Sequence, residues 1–406
     1  MDKVLFITFN ALTEPLGQSQ ILPYLYGNSS KYNFYVCSLE KYDSVSTPSL
    51  VNSVMEYCLQ RNIVWLPSKF RSKPKFLSTL LNLIKVGLNS LKIIRNHDVS
   101  IIHCRSYLPA FLGIILKKTY KTNFIFDMRG LWIDELLAAG RIKKQTILHR
   151  ALVYFEKAAL INASEIITLT HKSKEFLITN YLIDEKKISV IPTCVEQSLF
   201  TDISKKTSGR SDELVKRVGI LGTVLSGWFN FEMLISFMQS IKLRWPEVEF
   251  HFVTKESSND ILASFKDHSF DIKEFNYKIY PIEREGLAQC ISQFDIGAMF
   301  YFSESFSEIA RSPTKIGEFL ACKTPIIINF GIGDTDKIIK DYGVGLLVDR
   351  GLLRDADLLN NKIEAMLNDN DIEIRCVRCC EDIFSLDQGI SSYNRIYQKL
   401  LNFEYE

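Results

Sequence analysis

The residues best suited to chemistry lie in one short run that contains Pro313, Lys315 and Glu318. Ser312 can cap a helix here, and Pro313 suits the first turn, where no backbone N–H is needed. A helix start carries unpaired N–H groups and a partial positive charge, which together attract phosphate. Lys315 adds a cation in the first turn, and Glu318 shares its helix face. The run predicts a diphosphate on the helix tip, with the ribose hydroxyls of a nucleotide sugar on Glu318.

The helix opened by Pro313 should continue to about Lys323. The following Thr-Pro pair stops it, and residues 326–328 then have the pattern of a buried strand. A second interpretation of the run stays open: a capped amphipathic helix whose Lys315 and Glu318 form a solvated ion pair. The rest of the chain has to decide between the two.

The length of 406 residues predicts two domains, and the composition, 47% hydrophobic and 12% aromatic, is that of a globular protein. The first residues enter a strand directly, without the basic region, apolar core and cleavage site of a signal peptide. The most apolar long segment, 76–94, contains Lys85 and Lys92, which argues against a membrane span. We expect a cytoplasmic protein with reduced thiols.

The net charge of +2 is unevenly distributed along the chain. Residues 1–200 contain 25 Lys and Arg against 15 Asp and Glu, and residues 201–406 contain 24 against 32. The acidic second half argues against nucleic acid binding, and the basic first half indicates an anionic partner. Four cations and two Phe in 69–76 lead into an amphipathic helix that reaches Arg95. This stretch suits peripheral contact with the inner face of a cell membrane, or it simply faces solvent.

Metal and redox chemistry are not expected. Cys376 and Cys379 form a C-x-x-C pair, but the pair lies inside a predicted helix and lacks further ligands at metal spacing. Three Asp-x-Asp spacings stand at predicted helix ends, where Asp is a common cap, and we interpret them as structural. They are Asp334/Asp336, Asp355/Asp357 and Asp369/Asp371. Only the first also lies near a strand end, which leaves a metal site open there.

Strands and helices alternate through the first half, which predicts a parallel sheet with ligands at the carboxyl ends of its strands. Gly17 follows the first strand in a loop, where a backbone can approach a ligand closely. Arg129 offers a fork for phosphate or carboxylate, and Asp127 can accept a hydrogen bond from a hydroxyl. A satisfied structural carboxylate is the alternative for Asp127. Further polar side chains after these strands are Arg105 and Tyr107.

The second half starts a new α/β domain. Its first strand, 217–221, leads into a loop with Gly222 and Thr223, at the position that Gly17 occupies in the first half. A further strand is predicted at 272–275. We place the domains at 1–195 and 213–385, with a linker at 196–212 and a C-terminal helix, 386–406, that returns to the first domain.

The motifs together resemble a known family. The segment 313–326 is similar to the P-x-K-x-x-E-x-L-A-x-x-x-P-I segment of nucleotide-diphosphate-sugar glycosyltransferases of the GT-B fold, especially the retaining family-4 group. Residues 190–200 and 218–222 resemble further landmarks of that group. Residues 15–24 and 126–132 look like a bacterial subgroup that builds surface polysaccharides.

The resemblance implies a GT-B fold: two Rossmann-like α/β domains with parallel sheets facing an interdomain cleft. It also implies retaining, metal-independent transfer of a sugar from a UDP- or GDP-type donor, without a cofactor, to a glycan or lipid-linked acceptor. The expected donor-binding residues are Gly17, Gly222, Thr223, Ile279, Ser312, Pro313, Thr314, Lys315 and Glu318. The expected catalytic residues are Lys315, Arg129 and Asp127, and the expected acceptor-binding residues are Arg105, Tyr107 and Arg129.

The sequence departs from the family pattern at three places. The family has an acid eight residues before Glu318, where this chain has Ala310. Trp228 and Asn230 lie where the family has an Arg and a Lys, and the 127/129 group replaces a His. Two further interpretations therefore stay open. One is a sugar-nucleotide epimerase or hydrolase of similar build, and the other is an inactive nucleotide-sugar-binding partner of a polysaccharide complex.

Overall fold

A computed structural model describes residues 1–41, 47–200, 215–302 and 305–402. The chain forms two compact units. Unit 1 comprises Met1–Pro192 and Leu386–Glu406, and unit 2 comprises Thr193–Ser385. Residues 201–212 of the predicted linker lie outside the described residues, whereas Val195 and Phe200 are buried in a hydrophobic core cluster of unit 2.

Unit 1 is built on a seven-stranded parallel sheet in the order β3-β2-β1-β4-β5-β6-β7. The central strands are mostly apolar and almost entirely buried, as a parallel sheet covered by helices requires, and the buried polar exceptions include His103, Arg105 and Asp127. The strands are β1 Asp2–Thr8, β2 Tyr32–Glu40, β3 Ile63–Lys69, β4 Ile101–Arg105, β5 Asn123–Asp127, β6 Glu165–Thr168 and β7 Ile188–Val190.

Helices connect these strands and cover the sheet of unit 1. They are α1 Pro15–Gln20, α2 Leu22–Asn28, α3 Thr47–Leu59, α4 Lys75–Asn96, α5 Tyr107–Tyr120, α6 Trp132–Ala138, α7 Ile147–Asn162 and α8 His171–Tyr181. Connections between parallel strands are right-handed, so α4, α5 and α7, which all lead towards β7, lie on one face of the sheet.

Unit 2 contains a six-stranded parallel sheet in the order β10-β9-β8-β11-β12-β13. Its strands are β8 Arg217–Leu221, β9 Glu249–Val253, β10 Asn276–Tyr280, β11 Ile296–Met299, β12 Ile326–Asn329 and β13 Gly345–Val348. Its helices are α9 Phe231–Arg244, α10 Ser258–Asp267, α11 Arg284–Ile291, α12 Thr314–Ala321, α13 Thr335–Tyr342, α14 Arg350–Arg354, α15 Ala356–Leu367 and α16 Ile372–Cys379.

The last helix, α17 Leu386–Asn402, belongs to unit 1 although the chain has passed through unit 2 before it. It packs closely on α2, because a Cβ added to Gly27 would lie 2.3 Å from the Ile390 side chain. Lys399 Nζ also lies 2.6 Å from a carboxylate oxygen of buried Glu165. The helix thus forms part of the body of unit 1.

One predicted strand of unit 2 is replaced by a turn in the structure. The strand predicted at 272–275 is wrong, because Ile272–Glu274 form a 3₁₀ turn and β10 begins at Asn276. The Asp271 side chain accepts the N–H of Lys273 at 3.1 Å, which stabilises a turn where an apolar pattern alone suggests a strand.

One segment, Leu77–Asn96 in α4, is long and apolar enough to cross a membrane, with a mean hydropathy of 1.3 over its window. Only 39% of that window is buried within the protein. Length and composition are the sole criteria of this finding, and core helices of soluble proteins also meet them. The segment alone therefore assigns no membrane topology.

Candidate active site

The helix predicted to bind phosphate begins one residue later than expected. Pro313 occupies the N-cap position of α12, and no side chain caps the helix. The predicted capping role of Ser312 is wrong, because its hydroxyl accepts the N–H of Thr193 at 3.2 Å. The first N–H groups of α12 therefore have no side-chain acceptor within the described residues, which makes the helix start available to an anion.

A hydrogen-bond clasp between Thr193 and Ser312 fixes the chain just before α12. Thr193 Oγ1 donates to the carbonyl oxygen of Ser312 at 2.6 Å, and the two hydroxyl oxygens lie 3.1 Å apart. Thr193 is 8% exposed. Because the clasp holds the backbone next to Pro313, it sets the direction of the helix start. This role of Thr193 is absent from the sequence prediction.

Lys315 lies directly over Gly222. The structure thus brings together two of the residues that the sequence predicted for donor binding. Gly222 has a φ of +73°, and a Cβ at this position would lie 2.9 Å from Lys315 Cε and 3.1 Å from Nζ. The N–H of Gly222 donates to the carbonyl of Val253 at 2.8 Å. Glycine is required here both for the backbone conformation and for the space that the lysine fills.

The ammonium of Lys315 is poorly compensated by the protein. Burial lowers the pKa of Lys315 to about 8; Glu318 and Glu256 act in the opposite direction, and Arg311 lowers the pKa further. Within the described residues, Lys315 has no hydrogen bond and no carboxylate within 4 Å. A partly buried cation at a helix start without a protein counter-ion favours binding of an anionic ligand.

Glu318 lies one helical turn deeper than Lys315. Burial raises the pKa of its carboxyl group, and the charges of Lys315 and Arg284 counteract this rise. In the part of the chain that the structure describes, the carboxylate accepts no hydrogen bond. A partly buried carboxylate with open acceptor sites can take the hydroxyl groups of a ribose.

The loop after β8 is held by the side chain of Glu256. This carboxylate accepts the N–H of Val224 at 2.7 Å and the N–H of Leu225 at 3.2 Å. Thr223 is exposed between Gly222 and these anchored residues. The sequence predicted the loop but not the acid that fixes it, because Glu256 lies in the loop after the next strand.

A second ion pair borders the approach to α12. Arg311 donates to both carboxylate oxygens of Glu308, with Nη2 at 2.8 Å from Oε1, and Glu308 is 2% exposed. The guanidinium carbon of Arg311 also lies 5.5 Å from the ring centroids of Trp228 and Tyr301. Ala310 is buried at 3%. The chain thus carries a buried acid two residues before the position where the family pattern has one.

The remaining predicted donor residues of unit 2 have simpler surroundings. Thr314 is the first residue of α12. Ile279 lies in edge strand β10, paired with Phe252 of β9, and its side chain packs partly into the core. Its expected contact with the base stays a prediction.

Gly17 lies in helix α1 rather than in the predicted loop, so the expected loop at this position is wrong. It is buried, and a Cβ would lie 2.1 Å from the carbonyl oxygen of Ala11. Glu40 fixes the neighbouring turn by accepting the N–H groups of Leu12 at 2.9 Å and Thr13 at 3.2 Å. Close packing of α1 on this turn explains the glycine, and its expected contact with the donor stays a prediction.

Asp127 is fully buried at the end of β5 and is held within unit 1. Tyr393 of α17 donates to its Oδ2 at 2.9 Å, and Arg105 Nη1 donates to the same oxygen at 3.3 Å. His103 Nε2 lies 3.6 Å from it. Burial by itself raises the pKa of Asp127, but the charge of Arg129 and contacts with His103 and Arg105 outweigh burial and hold it below its usual range.

The loop ends around Asp127 carry strained backbone. Arg129 has a φ of +60° and Ser106 a φ of +75°, values that residues with a Cβ rarely adopt. The buried hydroxyl of Tyr107 donates to Glu156 Oε1 at 2.6 Å and to the carbonyl of Gly130 at 3.2 Å. Strained residues of this kind cluster at functional sites.

Arg105, Tyr107 and Asp127 are therefore placed differently from what the sequence prediction assumed. All three side chains are buried and bonded inside unit 1, whereas 11% of the Arg129 side chain is exposed. The buried groups support the loop that presents Arg129. Direct contact of Arg105, Tyr107 or Asp127 with an acceptor or with the reacting atoms stays a prediction, and positioning is the role their burial favours.

Among the described residues, no group of three or more His, Cys, Asp or Glu side chains could hold a metal ion. The structural interpretation of Asp336 and Asp355 is confirmed, because Asp336 accepts the N–H of Gly331 at 3.0 Å and Asp355 caps α15. Cys376 and Cys379 are buried in α16.

Comparisons with known proteins agree with this architecture. Residues 45–199 match the family model described as Glycosyltransferase Family 4. No curated protein matches the chain.

Solved structures of low sequence identity share the fold over nearly the whole chain. A glycosyltransferase from Rickettsia africae ESF-5 is 17% identical with a TM-score of 0.68, and 98% of each chain is covered. Sucrose-phosphate synthase from Thermosynechococcus elongatus is 13% identical with a TM-score of 0.70, covering 99% of this chain and 100% of that one. Anabaena Alr3699/HepE in complex with UDP-glucose is 15% identical with a TM-score of 0.66, covering 98% and 100%.

These neighbours show the fold, and the family match covers part of the first half of the chain. The predicted GT-B architecture of two Rossmann-like domains with parallel sheets is confirmed. The chain therefore has the GT-B fold, and its residues 45–199 match the model of glycosyltransferase family 4.

Proposed function

We propose that this glycosyltransferase moves a sugar from a UDP- or GDP-linked donor to a hydroxyl of a lipid-linked or surface-polysaccharide precursor. The observation that carries the donor assignment is the pair formed by Lys315 and Glu318. Both are partly buried on one face of α12, and neither is bonded to a described residue. Structural neighbours such as Anabaena HepE bind UDP and UDP-glucose, which supports a nucleotide-sugar donor.

The diphosphate would lie on the uncapped start of α12, with Lys315 beside it. Thr314 and Lys315 supply N–H groups there, and Gly222 leaves space for the ammonium. The ribose hydroxyls would then reach Glu318 one turn along the helix, and Thr223 would contact the donor from the exposed loop.

Catalysis on this proposal is electrostatic. As the glycosidic bond to the β-phosphate breaks, negative charge grows on the leaving diphosphate, and the helix start with Lys315 stabilises it. Arg129 is proposed as a further catalytic cation and acceptor contact, presented by a backbone that Asp127 and its neighbours hold rigid. The similarity of 313–326 to the retaining group supports retention without a metal ion.

The acceptor is the least specified partner. A basic first half favours an anionic acceptor, such as a lipid-linked diphosphate. The resemblance of 15–24 and 126–132 to a polysaccharide-building subgroup supports the same class and a cytoplasmic location, where nucleotide sugars would be available.

Calorimetric titration of the purified protein with UDP and GDP tests the donor site directly. We expect one nucleoside diphosphate to bind, and Lys315→Ala and Glu318→Ala each to lower turnover at least tenfold with the matching sugar nucleotide. Lys337→Ala is a control, because this exposed lysine pairs with Asp341 on α13. Wild-type rates in both site variants would refute the proposed donor site.

A further inference from the structure

Helix α4 buries Val86, Ile93 and Ile94 but also presents a stripe of apolar residues outward. The exposed fractions of Leu77, Leu80, Ile84 and Leu88 are 52%, 52%, 49% and 61%. These residues follow a helical spacing of three to four and so form one stripe. A helix on the surface of a globular protein normally presents the opposite face to water.

Polar side chains of the same helix are buried instead, and their contacts fix this orientation. Asn82, at 3% exposure, accepts the N–H of Arg71 at 3.0 Å and donates to the carbonyl of Arg71 at 2.9 Å. Asn89 donates to Ser68 at 3.0 Å, and buried Ser90 donates to the carbonyl of Val86. These inward hydrogen bonds, together with buried Val86 and Ile93, hold the stripe from Leu77 to Leu88 on the outer side of the helix.

The apolar surface continues over the neighbouring helices. α5 packs against both α4 and α7 on the same face of the sheet. Phe111 and Ile115 of α5 are 42% and 47% exposed. On α7, Ile147, Tyr154 and Ile161 repeat every seven residues and are 89%, 78% and 57% exposed. We call these outward faces the α4–α5–α7 surface.

The charges on these three helices have one sign. α4 contains four Lys and Arg residues, and α5 and α7 contain two each. The single acid in the three helices is Glu156, which is 3% exposed and bonded to Tyr107. The surface thus combines bulky apolar side chains with cations and has no exposed carboxylate of its own helices, which complements an anionic lipid headgroup layer.

We propose that the α4–α5–α7 surface docks unit 1 on an anionic lipid bilayer, with α4 lying in the plane of the interface. The stripe from Leu77 to Leu88 is about 16 Å long, enough to enter the acyl boundary along its length. α4 does not span the bilayer in this arrangement, because its inward side stays bonded to Ser68 and Arg71. The docking surface is independent of the proposed donor site.

The test is co-sedimentation of the full-length protein with vesicles of phosphatidylcholine alone or with one third phosphatidylglycerol. We expect strong partition into the anionic vesicles only, weakened by high salt because the attraction is screened. The variant Leu80→Gln, Ile84→Gln, Leu88→Gln should lower partition at least tenfold. Lys85→Gln with Lys92→Gln and Lys118→Gln should also lower it about tenfold and remove its salt dependence.

The matched control is Leu59→Gln, Leu243→Gln, Ile374→Gln, three exposed apolar residues on other helices with exposures of 68%, 76% and 67%. This variant should partition within twofold of wild type. Equal partition of the α4 triple variant and wild type would overturn the proposal. Wild-type protein that does not bind anionic vesicles would also overturn it. Light scattering would then show whether the protein is a monomer or a dimer that buries this surface against a second copy. Nucleotide binding should be unchanged in the same variants. This measurement separates a failure of membrane docking from a failure of the proposed donor site.

Discussion

At the residue scale, Lys315 and Gly222 depend on each other. The lysine fills the space that a side chain at position 222 would take. Gly222 has a φ of +73°, a backbone conformation that favours glycine. The ammonium has no hydrogen-bond or ion-pair partner among the described residues. The packing of the side chain over Gly222 therefore sets its position as much as the nearby charges do. We therefore expect small changes at either residue to affect the proposed donor site.

We expect Gly222→Ala to raise the donor KM at least tenfold, since the new Cβ would displace the Lys315 side chain and strain the backbone. Gly227→Ala in the same loop is the control, because nothing lies within 4 Å of its Cβ position. Steady-state kinetics with varied donor measure both. A Gly222→Ala enzyme with the kinetics of the Gly227→Ala enzyme would contradict the packing argument.

The pH dependence of donor use follows from Lys315. Its pKa in the free protein is lowered to about 8, so the ammonium is charged below that pH and is progressively lost above it. We expect kcat/KM for the donor to fall as pH rises through about 8. Lys315→Arg should remove this fall, because a guanidinium stays protonated. An unchanged pH profile in Lys315→Arg would assign the titration to another group.

At the scale of elements, the start of α12 depends on a contact with the segment that opens unit 2. Thr193→Val removes the hydroxyl that donates to the carbonyl of Ser312, so this part-buried carbonyl loses that hydrogen bond. We expect about fivefold weaker nucleotide binding, from roughly 1 kcal/mol for the lost bond. Thr193→Ser should bind like wild type. Calorimetry of the two variants decides whether the hydroxyl or the β-branched shape matters.

How far the sequence predicts the elements depends on the range of the contacts involved. The sequence pattern alone predicts α12 and the strand after it, because Pro313, Lys315 and Glu318 lie within about two turns of one helix. It does not predict the role of Ser312, since its partner Thr193 lies 119 residues away. The sequence predicts a loop at Gly17, because the local pattern does not show that a glycine is needed there for close packing of α1 against Ala11. Burial of Asp127 likewise depends on Tyr393, far along the chain.

At the scale of the whole molecule, α17 joins the C-terminus of the chain to unit 1. Tyr393→Phe should destabilise the protein by about 1.5–3 kcal/mol, because it removes a hydrogen bond to a buried carboxylate. Tyr26→Phe is a control at a tyrosine that is 49% exposed. Urea unfolding followed by circular dichroism measures the difference. Equal midpoints would show that Arg105 and His103 suffice to hold Asp127.

The position of α17 in the sequence affects how unit 1 folds during synthesis. Unit 2 ends at Ser385, whereas unit 1 lacks Tyr393, a hydrogen-bond partner of Asp127, until α17 is made. At a ribosomal rate of about 5–20 residues per second, residues 193–406 take roughly 10–40 s to synthesise. During that time the α2 groove around Gly27 and the Asp127 cluster stand open. Residues 1–192 are thus translated before unit 2 but gain their α17 contacts after it, and we expect nascent chains to rely on chaperones for unit 1 more than for unit 2.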